Sequence, residues 1–205
     1  MQKNYLQGQI KLPLYLFYVR FDYLINTNNV KNLILDNLKE IINFATINHK
    51  PMITEKLNLP DYNFNIRLEN ENYKIFDQIR NIFVTLTPEE WVRQNVVNHL
   101  ITNLNFPKNR IANEISISYN NLSKRCDTII YNENFEPFVI CEYKSYKVEI
   151  TQKVFDQIAV YNCKLNVPYL LVSNGLTHFF CKVNRDEKRY LFAEKIPNYL
   201  ELTYQ

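Results

Sequence analysis

Apolar positions recur at 30, 33, 34, 38, 41, 42 and 45, a stripe of helical period that predicts a helix over residues 30–47. Asparagines crowd around it (Asn26, Asn28, Asn29, Asn32), and His49-Lys50-Pro51 ends the pattern just ahead of Met52. Residues 1–51 thus read as an N-terminal extension: either a helical packing piece or an upstream read-through with Met52 as the true start. Residues 52–205 read as the main domain.

From residue 60 the pattern changes. Phe64, Ile66 and Leu68 alternate as a strand over 63–68, whereas Phe76, Ile79 and Phe83 are spaced for a short helix or turn. Thr87-Pro88-Glu89-Glu90 then opens a helix. Threonine is the N-cap, proline takes the first helical position and Glu90 the third, a capping box. Trp91, Val92, Val96, His99 and Leu100 supply its buried side. Three strands follow, over 111–119, 126–131 and 137–144, the last two joined across an Asn/Glu turn. A second helix over 150–165, capped at Thr151, turns Val154, Phe155, Ile158 and Leu165 inward. The apolar strand 169–172 ends in Ser173-Asn174-Gly175, a tight-turn signal, and strands 177–183 and 189–193 complete the chain. This order fits an open α/β layer.

Composition narrows the function classes. With 46% apolar and 22% charged residues, the 205-residue chain has enough for a core without disulfides or metals. Its two glycines, Gly8 and Gly175, cannot form a P-loop or a dinucleotide fingerprint, so no nucleotide cofactor of the usual kind is expected. Residues 1–51 carry six Lys/Arg against three Asp/Glu, while 52–205 carry 18 of each. The net charge of +3 is therefore no argument for a nucleic-acid footprint over the main domain. Cys126, Cys141, Cys163 and Cys181 show no zinc spacing and read as reduced, buried thiols of a cytoplasmic protein. The apolar run Leu12 to Val19 is too short to cross a bilayer.

The candidate chemistry lies in Asp127 on one strand and Glu142-Tyr143-Lys144 at the end of the next. Side chains at i and i+2 of a strand share a face, so Glu142 and Lys144 point the same way, and a paired neighbouring strand can bring Asp127 beside them. Two carboxylates and the main-chain carbonyl of Tyr143 make a hard-oxygen site of the kind Mg²⁺ prefers. A lysine beside it suits metal-assisted phosphodiester hydrolysis. The plain alternative is a solvated cross-strand pair. Against it, the apolar run Phe138-Val139-Ile140-Cys141 leads straight into Glu142, so the carboxylate emerges where a buried strand ends.

Arg125-Cys126-Asp127, Cys141-Glu142-Tyr143-Lys144 and Gln157-x-x-x-Tyr161 together resemble the PD-(D/E)xK nuclease superfamily. More narrowly, they resemble the N-terminal nuclease domain of the type I restriction enzyme R subunit. Supporting stretches are Thr87 to Gln94, Ala112-Asn113-Glu114 and Val172 to Leu176, so the likeness covers about residues 57–205. Cys126 stands where the superfamily's proline would. The resemblance implies an α/β fold with a restriction-endonuclease-like core, a mixed central β-sheet flanked by α-helices, and a Mg²⁺-dependent DNA endonuclease, with Mn²⁺ able to substitute. Asp127 and Glu142, with the Tyr143 carbonyl, would hold the ion, and Lys144 would be the catalytic lysine. Gln157 and Tyr161 would contact DNA or position the lysine. Because the family's restriction subunits continue into an ATP-driven translocase, DNA and a separate translocase or specificity subunit are the expected partners. The rival is a catalytically silent nucleic-acid-binding or docking module of the same fold.

Other residues are read more plainly. Glu90 is taken as the cap in preference to the metal shell that some superfamily members build from a first-helix glutamate. Glu114 is taken as a strand-entry surface charge in preference to a supporting role. His99 is expected to pack in the core, and His49 and His178 have no evident partner.

Overall fold

The computed structural model describes residues 34–39, 54–119, 122–187 and 189–203, without the side chains of 117–119, 122–124, 160, 161, 163 and 164. The chain divides into two units, residues 1–50 and 51–205. In the first, residues 34–39 are helical; the rest of the expected 30–47 helix, and His49, lie outside the described residues.

The second unit begins with a three-stranded antiparallel sheet, β1 (Ile66–Glu69), β2 (Asn72–Asp77) and β3 (Ile82–Thr85). The expected short helix or turn near Phe76, Ile79 and Phe83 is therefore a hairpin. Asp77, at the end of β2, accepts from the backbone N–H of Ile79 and of Arg80 at 2.8 and 3.0 Å, which reverses the chain. Phe76 and Phe83 then face each other across the strands with ring centroids 5.2 Å apart. Their helix-like spacing arises because Ile79 sits in the turn.

Helix α1 (Pro88–Thr102) follows, with Thr87 in extended conformation accepting from the Glu90 N–H at 3.0 Å. A six-stranded sheet comes next, in the order β4 (Ile111–Tyr119), β5 (Leu122–Tyr131), β6 (Pro137–Tyr143), β7 (Tyr169–Ser173), β8 (His178–Asn184) and β9 (Arg189–Ala193). All neighbours are antiparallel except β6 and β7, which are parallel and joined by helix α2 (Gln152–Leu165). A short helix α3 (Tyr199–Thr203) closes the chain. This is the expected α/β fold with a mixed sheet and flanking helices. Thr151 does stand at the N-cap of α2, but its side chain makes no capping bond.

The apolar run of β6 is explained by burial on both faces. Val139 and Cys141 pack with Val92, Val96 and Leu100 of α1, whereas Ile140 packs with Val154, Phe155 and Ile158 of α2. Gly175 closes the β7–β8 hairpin at φ +81°, and a Cβ there would meet the Leu57 side chain at 2.8 Å. Among the described residues no helix is long and apolar enough to cross a membrane. Cys126, Cys141 and Cys181 are buried free thiols, with burial raising the pKa of each.

Candidate active site

A local break in regular pairing exposes Asp127. The β4–β5 register runs from Asn113↔Thr128 to Ile115↔Cys126 and passes over Glu114 and Asp127, which lie opposite each other. Glu114 adopts φ +59°, the left-handed region that non-glycine residues seldom enter. Alternation along β5 slips at the same place. Cys126 and Ile129 are three apart yet both pack in the α2 layer, which a regular strand would forbid. Asp127 instead turns to α1, where its Oδ1 accepts from the Arg93 guanidinium at 2.9 Å. Its Oδ2 accepts from the Tyr143 backbone N–H at 2.8 Å, tying β5 to the end of β6.

Glu142 sits on β6 with 3% of its surface exposed. Its Oε1 accepts from Lys144 Nζ at 2.7 Å and from Gln157 Nε2 of α2 at 2.6 Å. Lys144 Nζ also reaches Gln157 Oε1 at 3.4 Å, and its backbone N–H bonds to the Ser173 carbonyl at 2.9 Å. Burial, and next the charge of Asp127, raise the Glu142 pKa to about 7. For Lys144, burial acts to lower the pKa, but the hydrogen bond and charge of Glu142, with Glu89 and Asp127, outweigh it and the pKa rises. Lys144 is thus an ammonium at neutral pH.

The structure therefore brings Asp127, Glu142, Lys144 and Gln157 to one end of the sheet. Tyr143 is fully buried beneath Arg93, whose guanidinium carbon lies 5.9 Å from the ring centre. Tyr161 lies one turn beyond Gln157 on α2, with its side chain outside the described residues.

Two expectations are corrected. The Glu90 backbone N–H donates to Thr87, but its carboxylate, expected to cap, instead meets Arg93 at 2.9 Å, Gln94 at 2.8 Å and Arg80 at 3.3 Å. Glu114 is not a simple surface charge, because it pairs with the buried Arg93 and with Arg125, each at 2.5 Å. His99 is half-buried and bonded through Nδ1 to the Tyr62 hydroxyl at 2.9 Å, and burial lowers its pKa. His178 has acquired a partner, Ser173 Oγ at 2.8 Å.

Sequence reasoning passed over two residues here, Glu89 and Arg93. Glu89 is half-buried and interacts with the charges of Asp127, Lys144 and Arg93; burial first, then Asp127, raises its pKa. A usable signal existed: Glu89, Val92, Arg93 and Val96 share one face at helical spacing, and Val92 and Val96 are fully buried.

The mixed sheet and its flanking helices thus make an α/β core that gathers two carboxylates and a lysine at one place. The family described as type I restriction enzyme R protein N terminus (HSDR_N) matches residues 88–197, more than half the chain. The chain belongs to that family. Among solved structures it is similar to a fragment of a putative HsdR subunit of a type I restriction enzyme from Vibrio vulnificus YJ016, at 16% identity and a TM-score of 0.44. That alignment covers 58% of this chain and 25% of the other. No curated protein matches.

Proposed function

We propose that residues 52–205 form a Mg²⁺-dependent DNA endonuclease domain that hydrolyses phosphodiesters by direct attack of water. The observation that carries this reading is the Lys144–Glu142 contact at 2.7 Å, with Asp127 close enough to raise the Glu142 pKa.

The donor set suits a hard divalent cation. Glu89, Asp127 and Glu142 are partly desolvated carboxylates, and the charge of Asp127 raises the pKa of the other two. An ion held among them relieves that repulsion. The hydrogen bonds on Glu142 converge on Oε1, which leaves Oε2 for another partner. Asp127, Glu142 and the Tyr143 carbonyl would hold Mg²⁺, which supplies electrophilic polarisation of the phosphodiester and the attacking water. Lys144, fixed as an ammonium, donates to the phosphate oxygen that gains charge and is not the base. Gln157 holds Glu142 and Lys144 in register, and Tyr161, one turn further along the same helix, would contact DNA. The balanced charge of residues 52–205 offers weak attraction to phosphates, so a separate translocase or specificity subunit would deliver the DNA.

The test is cleavage of plasmid and single-stranded DNA with Mg²⁺ or Mn²⁺, beside Asp127→Ala and Lys144→Ala. Metal-dependent cutting lost in both variants supports the reading, and equal cutting by Lys144→Ala removes it. A second reading, a silent docking module, is favoured by both Asp127 oxygens being engaged. Also in its favour, no group of three His, Cys, Asp or Glu among the described residues is arranged to hold a metal. Failure to bind Mg²⁺ by calorimetry would decide for it.

A further inference from the structure

Arg93 is the least expected charge in the fold. Its side chain is 4% exposed, yet it carries a full positive charge between three carboxylates: Glu90 at 2.9 Å, Glu114 at 2.5 Å and Asp127 at 2.9 Å. Glu114 and Asp127 face each other on antiparallel strands, where like charges destabilise a sheet. Glu114 is held in a left-handed conformation besides. The facing carboxylates call for a cation between the strands, and the planar fork of arginine can reach several carboxylates at once.

The fork is itself fixed. Glu90 receives Arg80 as well as Arg93, and Arg80 Nε donates to the fully buried Asp77 at 2.6 Å. Asp77 is anchored by the Asn113 side chain at 3.0 Å, and Asn113 accepts from Thr128, the neighbour of Asp127, at 2.7 Å. An alternating series of carboxylates and guanidiniums therefore runs from β2 through α1 to Asp127.

We propose that Arg93 is a positioning residue that orients Asp127 and neutralises Glu90 and Glu114, so that the site is built for one divalent cation and not two. This rests on the metal-dependent reading above. The charges agree with it. With every carboxyl ionised, as when a metal displaces the Glu142 proton, six carboxylates (Asp77, Glu89, Glu90, Glu114, Asp127, Glu142) meet four cations (Arg80, Arg93, Arg125, Lys144), leaving two negative charges, the charge of one divalent ion.

The experiment is calorimetric and spin-resonance titration of the full chain with Mn²⁺ alone, for wild type, Arg93→Lys and Arg93→Gln, with melting curves for each. Wild type should bind one Mn²⁺. Arg93→Lys keeps the charge but loses the fork, and should bind the ion roughly 10–100-fold more weakly, as lost supporting contacts to a metal ligand do. Its melting temperature should fall, because buried carboxylates lose partners, so affinity is read at a temperature where the variant is folded. Arg93→Gln, if folded, should admit a second, weaker ion. A wild type that binds two ions of similar affinity overturns the proposal. So does Arg93→Lys with wild-type affinity. Both outcomes leave the metal-dependent reading standing. A wild type that binds no Mn²⁺ overturns both.

Discussion

Gln157 Nε2 of α2 lies 2.6 Å from Oε1 of Glu142 on β6, the same oxygen that Lys144 Nζ meets at 2.7 Å. One carboxylate oxygen thus gathers a helix and a strand end, and the amide oxygen of Gln157 faces the lysine in turn. Removing the amide frees both charged groups to move without opening a cavity in the core. Gln157→Ala should lower the rate of metal-dependent cleavage about 10–100-fold, the usual loss when support of a metal ligand is removed. Melting curves beside the cleavage assay check that the fold survives.

Metal binding should be pH-dependent with a defined sign. The Glu142 pKa is raised to about 7, by burial and then by Asp127. Below pH 7 this carboxyl is mostly protonated in the free protein, and an incoming cation must displace the proton. Mg²⁺ affinity should therefore fall as pH drops through 7 and level off above 8. Calorimetry at pH 6.5 in two buffers of different ionisation enthalpy should show a proton released on binding. An affinity flat between pH 6 and 8 would contradict this.

The same shift has a consequence for stability without metal. Glu142 has a folded pKa near 7 against an ordinary value of 4.5, so between these pH values the folded state binds more protons than the unfolded one. Stability must then decline as pH rises through that window and stay low above it. Glu142→Gln removes the cost of the buried charge and can still accept from Lys144. In EDTA at pH 8 it should be more stable than wild type, by on the order of 1–3 kcal/mol, while cleavage is abolished. At pH 4.5 the two should denature together in urea.

Much of this arrangement was legible beforehand because it depends on local rules. The apolar run ending in Glu142 identified a buried strand, and i, i+2 alternation paired Glu142 with Lys144. Thr87 and Pro88 marked the start of α1. What escaped depends on distant partners. The β2–β3 hairpin follows from an Asp77 carboxylate turned onto the backbone of Ile79 and Arg80, and nothing in the apolar spacing carries that. Arg93, Gln94 and Asn95 were not among the residues expected on the buried side of α1, yet all three are buried, because Glu90, Asp127 and the Trp91 carbonyl await them. The balanced charge of residues 52–205 hid a network in which most charges are already matched.

Glu89 and Glu90 are neighbours in sequence with opposite expected roles. Glu90 is committed to Arg93, Arg80 and Gln94 and is 7% exposed, so its charge offsets two guanidiniums. Glu90→Gln leaves those cations short of a partner, and should destabilise the fold by roughly 1–3 kcal/mol. Its effect on metal affinity should be the smaller one. Glu89 makes no hydrogen bond with another described side chain, and its pKa is raised by burial and by Asp127. Glu89→Gln should leave stability within about 0.5 kcal/mol of wild type or raise it, since it removes a like charge. It should weaken Mg²⁺ binding about tenfold, because one of the mutually repelling carboxylates that favour the ion is gone. Urea melts and Mg²⁺ calorimetry on both variants separate the two roles. A stability loss in Glu89→Gln with unchanged affinity, or the converse in Glu90→Gln, would reverse the assignment and place Glu90 at the metal.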